Sequence, residues 1–301
     1  MTDIICFFIV LENLPKKDWP RWIPHGIPTS LRGPRVLSVV GPIKTVINYI
    51  RGVDTLSHVG KMRVEMINYT PNPDRTCAVS AQSCRSKTPA YELLDKVTDS
   101  QITKTLRTAI QKGHHSILEH ASFTFSVSGV SRALTHQLVR HRIASYSQQS
   151  QRYVRIEKPL FVTPPSVSRD KKTNLRYSQF MTRAWRFYSF LLEEGIPEED
   201  SRFVLPNATS TNIVITMNAR ELLHFFELRC CIKAQWEIRR LAHLMLGKVR
   251  MVAPVIFEKA GPPCSSCREG LKDCRLYRAK NHFGRTLTRK VQESSLRGCE
   301  S

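Results

Sequence analysis

The sequence predicts an α+β fold in which helices dominate and a few short strands lie between them. Apolar residues recur at helical spacing in several long segments, whereas only short segments alternate apolar and polar residues as strands do. The chain has 301 residues, of which 41% are hydrophobic and 24% are charged. That composition is typical of a globular protein with a well-buried core.

The chain divides into three regions. Residues 1–61 carry prolines at short intervals and no sustained hydrophobic period, so we treat them as an N-terminal extension of unknown order. Regular patterning begins at Met62, which is itself a candidate start codon. Residues 62–261 form the predicted domain, and residues 262–301 form a basic, cysteine-containing tail.

The first half of the domain contains two predicted strands and one predicted helix. Residues 63–67 alternate as a strand and stop at the turn-rich segment 70–74. A helix is predicted over 89–112, because Pro89 suits its first turn, apolar residues follow at helical spacing, and Gly113 suits its end. Residues 123–127 alternate as a half-buried strand.

The second half is mainly helical. Residues 128–129 (Ser-Gly) predict a turn, and Ser131 can cap a helix that runs to about His141, with a loop beyond it. An aromatic-rich helix is predicted over 174–194. The remaining predicted elements are a strand at 213–217 and helices at 219–229 and 234–249.

Cysteine usage and hydropathy bear on the compartment. Nine cysteines form an odd number without the regular spacing of a disulfide scaffold, which indicates a reducing cytoplasm. The apolar run at 4–11 is too short for a membrane span and lacks the features of a signal peptide. In the tail, Cys264, Cys267 and Cys274 lack an obvious fourth ligand nearby, so we predict no metal site.

The segment 140–153 carries the strongest functional signal. It opens with Arg-His-Arg and continues with Ser, Gln and Tyr residues, and no acid lies between Glu119 and Glu157. Planar guanidinium groups suit bidentate contacts to phosphate. A solvated basic face would explain the arginines but not the interleaved hydroxyls and amides, so we predict a pocket for an anionic ligand.

Three other segments are candidates for ligand contacts. Residues 113–120 hold three histidines and Glu119; a zinc site is one alternative, but a loop that hydrogen-bonds an organic ligand fits the ligand geometry better. Arg202 alone would count as a surface residue. In 218–229, an apolar stripe explains most of a helix, but not the basic residues that recur at roughly helical spacing.

Several of these motifs together resemble one family. Arg-His-Arg, seven residues and Ser at 140–150, followed by Gln-Arg-Tyr, resembles the signature of the flavin-dependent thymidylate synthases. Asn-Ala-Arg at 218–220 and the later Leu-Arg and Ala-Gln-Trp-Glu-Ile-Arg segments resemble the C-terminal half of that family. The likeness covers residues 62–261. It implies a thymidylate synthase-complementing fold, with helices packed around a small, mainly antiparallel sheet.

The resemblance also implies an activity. In this family dUMP is methylated to dTMP, methylenetetrahydrofolate gives the carbon, NADPH reduces bound FAD, and the reduced flavin supplies the hydride. No cysteine nucleophile is implied, so Cys230 and Cys231 are interpreted as buried or incidental thiols. Ser150 is interpreted as a hydrogen-bond donor to the phosphate. The resemblance also implies a homotetramer with pockets shared between subunits. We expect neither a membrane nor a nucleic acid as a partner.

Residue by residue, the resemblance assigns two binding sites. The positions that match contacts to dUMP are Gln137, Arg140, Gln148, Gln149, Ser150, Arg152, Arg202 and Arg229. The positions that match contacts to FAD are Ser116, Arg140, His141, Arg142, Ile143, Gln148, Asn218, Arg220 and His224, with His114 and Glu119 nearby. Arg229 matches the arginine that favours ionisation at N3 of the uracil, which makes C5 more electron-rich.

Three positions depart from the common family pattern. Ser147-Gln148 stands where many relatives have Asn-Glu, so one negative charge is missing beside the nucleotide. His224 stands where an amide is common, and Lys233 where a histidine is common. The arginine framework is unchanged.

A nucleic-acid-binding protein is the alternative from another class. The net charge of +21 and the arginine-rich segment both favour it. Against it, the aromatic residues fall mainly on apolar helix faces, whereas a base-stacking surface would alternate them with basic residues. A flavin absorbance spectrum separates the two hypotheses.

Overall fold

The computed structural model describes residues 62–264. The predicted extension at 1–61 lies outside the described residues, as do Cys267 and Cys274 of the tail. The strands are β1 (Arg63–Tyr69), β2 (Ser122–Ser131), β3 (Ala144–Gln148) and β4 (Ser210–Asn218). They form a four-stranded antiparallel sheet in the order β1-β2-β4-β3. This confirms the predicted α+β class with a small antiparallel sheet.

Helices flank the sheet and fill the connections between its strands. The α-helices are α1 (Pro73–Ser83), α2 (Ala90–Lys96), α3 (Asp99–Gln111), α4 (Arg132–Leu138), α5 (Pro165–Ser168), α6 (Lys171–Glu193), α7 (Glu198–Ser201), α8 (Ala219–Arg229) and α9 (Trp236–Val252). Short 3₁₀ helices cover His115–His120 and Arg202–Val204. The predicted strands at 63–67, 123–127 and 213–217 and the three C-terminal predicted helices are therefore confirmed.

The central strands β2 and β4 show why the sheet has one buried face. Side chains alternate between faces along a strand, so Phe125 and Ile215, which are paired in register, both point inward and are fully buried. Their neighbours Thr124 and Thr216 point to the other face, where their hydroxyls lie 3.0 Å apart. Helices α8 and α9 pack together over the core, and α9 also contacts β1 and β2.

A buried carboxylate connects helix α9 to the start of α4. Glu237 accepts hydrogen bonds from the backbone N–H of Ser131 at 2.8 Å and from its hydroxyl at 2.6 Å. The same hydroxyl accepts from Leu134 N, so the predicted capping role of Ser131 is confirmed. Burial raises the pKa of Glu237, and its hydrogen bonds to Ser131 oppose that rise. This contact anchors the helix that leads into the arginine-rich segment.

The single helix predicted over 89–112 is wrong. The chain forms α2 and α3, which are separated by Val97 in an extended conformation. Thr98 starts α3 with a capping box, since its side chain accepts from Gln101 N while the Gln101 side chain accepts from Thr98 N. The capping box satisfies helix donors locally, so a new helix begins inside a continuous apolar period.

The predicted turn at 128–129 is also wrong. Strand β2 continues through these residues to Ser131, and its register against β4 shifts between Val127 and Val130. Gly129 has a φ of 68° there, a conformation that glycine adopts without steric cost. The Ser-Gly pair therefore forms a bulge that bends the strand before α4.

Two other elements occupy segments for which no helix or strand was predicted. Helix α1 begins with Pro73, inside the turn-rich segment at 70–74, and is preceded by Asn72 at a φ of 46°. The segment after His141 was predicted to be a loop but contains β3, while α4 ends earlier, at Leu138. The strand was overlooked because its inward positions include polar groups, among them Gln148.

Candidate active site

His141 lies at the centre of a buried hydrogen-bonded network. Its side chain is almost inaccessible, and its Nδ1 lies 3.1 Å from Oε1 of Glu221, which is also buried. On the other side of the ring, Nε of Arg229 donates to Nε2 at 3.1 Å. A guanidinium can only donate, so Nε2 is the acceptor and Nδ1 carries the proton that is donated to Glu221. Two separately predicted residues, His141 and Arg229, are thus in direct contact.

Helix α8 forms most of the wall around this imidazole. The rings of Phe225 and His224 lie edge-on to His141, with centroids at 5.0 and 5.8 Å. At the start of the helix, Asn218 accepts from Glu221 N at 2.9 Å and so acts as the N-cap. Asn218 and His224, both predicted flavin contacts, therefore belong to the same cluster.

The electrostatics of the network keep His141 neutral. Burial, together with the charges of Arg229 and His224, lowers the pKa of His141 from 6.5 to about 4. Burial raises the pKa of Glu221, and His224 opposes that rise. At neutral pH the imidazole is thus an uncharged group that donates through Nδ1 and accepts through Nε2.

Tyr146 of β3 fixes the backbone of the same segment. Its hydroxyl lies 2.9 Å from the carbonyl oxygen of Leu138 and 2.8 Å from that of His141. Burial raises the pKa of Tyr146, with a further contribution from Glu221. The hydroxyl therefore stays protonated and donates hydrogen bonds to these carbonyl oxygens. The turn between α4 and β3 is therefore held from inside.

Most of the predicted flavin contacts lie on the exposed surface around this network. They are Ser116, Arg140, Arg142, Ile143, Arg220 and His224. An ion pair between Arg220 and Glu119 joins the start of α8 to the 3₁₀ helix at His115–His120. Ile143 is 66% exposed although it is apolar. An exposed apolar side chain among cations and hydrogen-bonding groups suits a ligand that is both aromatic and anionic.

The predicted phosphate contacts form a second group at the other end of β3. Nε of Arg152 lies 2.6 Å from a carboxylate oxygen of Glu199, and Nε of Arg202 donates to the Glu199 carbonyl oxygen at 3.0 Å. Ser150 accepts from Arg152 N at 3.1 Å. Arg132 also lies beside this group, where its Nη1 donates to Gln149 O at 3.4 Å, and burial and the charge of Arg202 lower its pKa. Glu199 thus pairs with Arg152 through its carboxylate and with Arg202 through its backbone carbonyl.

The two glutamines between these groups are held by β4 and α4. Gln148 donates through Nε2 to the hydroxyls of Thr135 at 3.1 Å and Thr211 at 3.4 Å. Gln149 N donates to Asn212 O at 2.9 Å, and the Asn212 side chain donates to Gln149 Oε1 at 3.4 Å. Both side chains are thus fixed at the edge of the sheet. The remaining predicted substrate contact on α4, Gln137, is half-buried.

One strand separates the two groups. The His141 network lies just before β3 and the Arg152 group just after it. Since β3 has five residues, it spans about 16 Å at about 3.3 Å per residue. The structure thus brings the predicted residues into two clusters on one chain rather than into a single pocket.

Two acidic residues and a tyrosine in these clusters were overlooked in the sequence. Glu221 follows the N-cap Asn218 by three residues, a position typical of helix caps, so nothing in the pattern indicated that it is buried against His141. Glu199 lies in an acidic turn that reads as solvated surface. Tyr146 lies inside the motif, but the helix and loop predicted there concealed its inward direction.

The thiols and histidines outside these clusters show no metal geometry. In residues 62–264 no group of three or more His, Cys, Asp and Glu side chains could hold a metal ion. Cys230 is buried, which raises its pKa to about 12. That value leaves a thiol at neutral pH, which agrees with its interpretation as a structural residue.

No helix in the part of the chain that the structure describes has the length and apolar character needed to cross a membrane.

Comparison with known proteins identifies the family. The family model for the thymidylate synthase complementing protein matches residues 65–255. The flavin-dependent thymidylate synthase of Geobacter sulfurreducens is 50% identical over 217 residues, which is 71% of this chain and 94% of that protein. The chain belongs to the flavin-dependent thymidylate synthase family. The resemblance found in the sequence is thereby confirmed.

Other members of the flavin-dependent thymidylate synthase family match over similar lengths. The protein of Clostridium tetani is 42% identical over 71% of this chain and 93% of its own length. Among solved structures, the UMP/dUMP methylase PolB of Streptomyces cacaoi, crystallised with 5-Br dUMP, superposes with a TM-score of 0.59 at 24% identity. The superposition covers 66% of this chain and 94% of PolB and supports the predicted fold. These comparisons give no support to a nucleic-acid-binding protein.

Proposed function

We propose that this protein is a flavin-dependent thymidylate synthase that methylates dUMP to dTMP, with methylenetetrahydrofolate as carbon donor and NADPH as reductant through FAD. The contact between Arg229 and neutral His141 carries the proposal, because it holds a permanent cation in a defined direction. In the balanced reaction, C5 of the uracil loses a proton and gains the methylene carbon, a hydride completes the methyl group, and tetrahydrofolate is released.

Arg229 is proposed as the catalytic residue. Its Nε is occupied by His141, so its two Nη groups are the ones that face a ligand. A cation beside N3 of the uracil favours loss of the N3 proton and stabilises the resulting negative charge. That charge increases electron density at C5, where the new carbon–carbon bond forms.

The residues around the His141 network fit a flavin. FAD combines a flat apolar ring with a pyrophosphate, and the surface here combines the exposed apolar Ile143 with cationic Arg140, Arg142 and Arg220. Ser116, His141, Gln148, Asn218 and His224 add hydrogen-bonding groups. When bound, FAD carries electrons from NADPH and supplies the hydride. The protein residues bind and orient it, and His141 does so without a charge of its own.

The Arg152 group is proposed to bind the phosphate of dUMP. Arg152 and Arg202 provide charge, while Ser150 and Gln149 provide hydrogen bonds. Gln137, Arg140 and Gln148 complete the proposed substrate contacts between the phosphate and the base.

The active site is proposed to be shared between subunits of a homotetramer. The separation of about 16 Å along β3 places the Arg229 and Arg152 groups of one chain at opposite ends of a strand. A second chain can supply the missing wall of each half-site. The protein is further proposed to work in the reducing cytoplasm, and Cys77, Cys84, Cys230 and Cys231 are free thiols.

A flavin spectrum tests this function against the nucleic-acid alternative. The purified full chain should be yellow or take up FAD stoichiometrically, and it should bleach when NADPH is added in the presence of dUMP. A colourless protein that cannot be reconstituted with FAD, or one that binds oligonucleotides but not dUMP, would contradict the proposal.

Replacement of Glu199 by glutamine should tighten dUMP binding. Glu199 pairs with Arg152 and therefore competes with the phosphate for the same guanidinium. Exposed ion pairs contribute about 0.2–1 kcal/mol, so the dissociation constant should fall by a factor of about 1.4 to 5. Isothermal titration calorimetry with dUMP measures the dissociation constant. Glu198→Gln on the same short helix is the control. Weaker binding by Glu199→Gln would show that Glu199 does not compete with the phosphate.

Replacement of Gln148 by glutamate, the residue common in relatives, should destabilise this protein. The Thr135 hydroxyl donates to Arg132 O at 2.9 Å and accepts from Gln148, so a carboxylate would lose that donor contact. We expect a loss of about 1 kcal/mol in unfolding free energy, measured by denaturant unfolding. Gln149→Glu is the matched control, since its oxygen already accepts from Asn212. Equal unfolding free energies for Gln148→Glu and Gln149→Glu would disprove the hydrogen bond between Gln148 and Thr135.

A further inference from the structure

Glu221 has no part in the function proposed above, yet it is buried in the middle of the candidate site. Its side chain is 7% exposed, and its Oε1 lies 3.1 Å from Nδ1 of His141. Burying a carboxylate is costly unless its oxygens receive hydrogen bonds. The cap of α8 uses only the backbone N–H of Glu221, so the burial of its side chain calls for a different explanation.

We propose that Glu221 is a positioning residue that holds Arg229 toward the substrate through the imidazole of His141. This inference rests on the proposed function, because it gives Glu221 a purpose in the same site. The Nδ1 proton donated to Glu221 fixes the plane of the ring, and that plane directs the Nε2 lone pair at Nε of Arg229. The guanidinium is then held in a defined direction, with its Nη groups left for the uracil.

Both ends of the Glu221–His141 hydrogen bond are anchored in the fold. Asn218 accepts from the backbone N–H of Glu221, and the Tyr146 hydroxyl contacts the backbone carbonyl of His141. The ring itself packs edge-on against Phe225. Since α8 holds Glu221 and Tyr146 of β3 holds the backbone of His141, neither residue is free to shift. A change at Glu221 should therefore alter the position of Arg229.

The test compares Glu221→Leu and Glu221→Gln in the FAD-loaded full-length protein, with dUMP affinity measured by calorimetry. Glutamine keeps an oxygen that can accept from Nδ1, whereas leucine removes it. We expect Glu221→Leu to weaken dUMP binding by about tenfold and Glu221→Gln to stay within about threefold of the wild type. Glu227→Leu, at an exposed position of the same helix, is the matched control. Equal losses for leucine and glutamine would overturn the proposal.

A double-mutant cycle with Arg229→Ala distinguishes positioning from a general structural effect. If Glu221 acts through Arg229, Glu221→Leu should change dUMP affinity by less than about twofold once Arg229 is absent. A structural role would give the same loss in both backgrounds, and that result would also overturn the proposal.

A second cycle does not depend on the substrate. Glu221→Leu and His141→Phe should each lower the unfolding midpoint, and together they should lower it by less than the sum, because an apolar pair replaces a buried polar one. If the wild type fails to bind dUMP, the proposed function fails, and this cycle still tests the contact. Additive effects on the midpoint would show that Glu221 and His141 do not act as a pair.

Discussion

Replacement of Arg229 by alanine is expected to reduce dTMP formation by about 10²- to 10³-fold, the typical cost of losing one charge-stabilising donor in an active site. The guanidinium is held by His141 and is the group proposed to stabilise negative charge on the uracil. The variant should fold and bind FAD, because Arg229 is only half-buried at the end of α8. Initial rates of dTMP formation measure the loss of activity. Flavin absorbance measures whether the variant folds and binds FAD.

Two further variants define the effect. Arg229→Lys keeps the charge but presents it differently, because an ammonium is a compact point charge and not a planar fork; it should recover only a small part of the activity. Arg240→Ala removes an exposed arginine from α9 and should leave the rate unchanged. Near-normal turnover by Arg229→Ala would disprove the assigned role.

Acid should destabilise the protein through His141 by about 3 kcal/mol between pH 6.5 and 4, at about 1.4 kcal/mol per pKa unit. The pKa of His141 is lowered from 6.5 to about 4 by burial and by the Arg229 and His224 charges. Below pH 6.5 the unfolded chain therefore binds a proton that the folded protein does not. The stabilisation is complete above the unfolded pKa and is lost as the pH falls.

A variant comparison isolates this contribution. The raised pKa values of half-buried Asp74 and of buried Glu221 and Glu237 act in the opposite direction, since their contribution is complete below the unfolded pKa and is lost as the pH rises. His141→Gln keeps a donor and an acceptor without titrating, so its unfolding free energy should fall less steeply with acid than that of the wild type. The exposed His136→Gln is the control. Parallel curves for wild type and His141→Gln would contradict the account.

The fold was predictable where the hydrophobic period was clean. Residues 123–127 of strand β2 and helix α8 bury side chains at the spacings that their sequences show, and they were predicted correctly. The errors arose where a local hydrogen bond or a glycine overrode the period. Thr98 starts a new helix inside an apolar pattern, and Gly129 turns an expected strand end into a bulge. The structure at such positions depends on local hydrogen bonds and backbone conformation, which the spacing of apolar residues does not show.

The candidate site was predictable in its residue types but not in its pairing. Arginines 140, 152, 202 and 229 were all assigned by resemblance, and the structure divides them between the two ends of β3. Glu199, which pairs with Arg152, and Glu221, which contacts His141, lie far from these partners in sequence and carry no pattern of their own. Which side chains are buried, and which of them pair, depends on how the helices and strands pack, and motif spacing does not predict that packing.

The folate product of the complete reaction tests the central claim most directly. Full-length protein with FAD, dUMP, methylenetetrahydrofolate and NADPH should form dTMP, with one tetrahydrofolate and one NADP⁺ for each dTMP, because the hydride comes through the flavin and not from the folate. Chromatographic measurement of all three products decides the question. Absence of dTMP, or dTMP formed with dihydrofolate and without NADPH oxidation, would contradict the account.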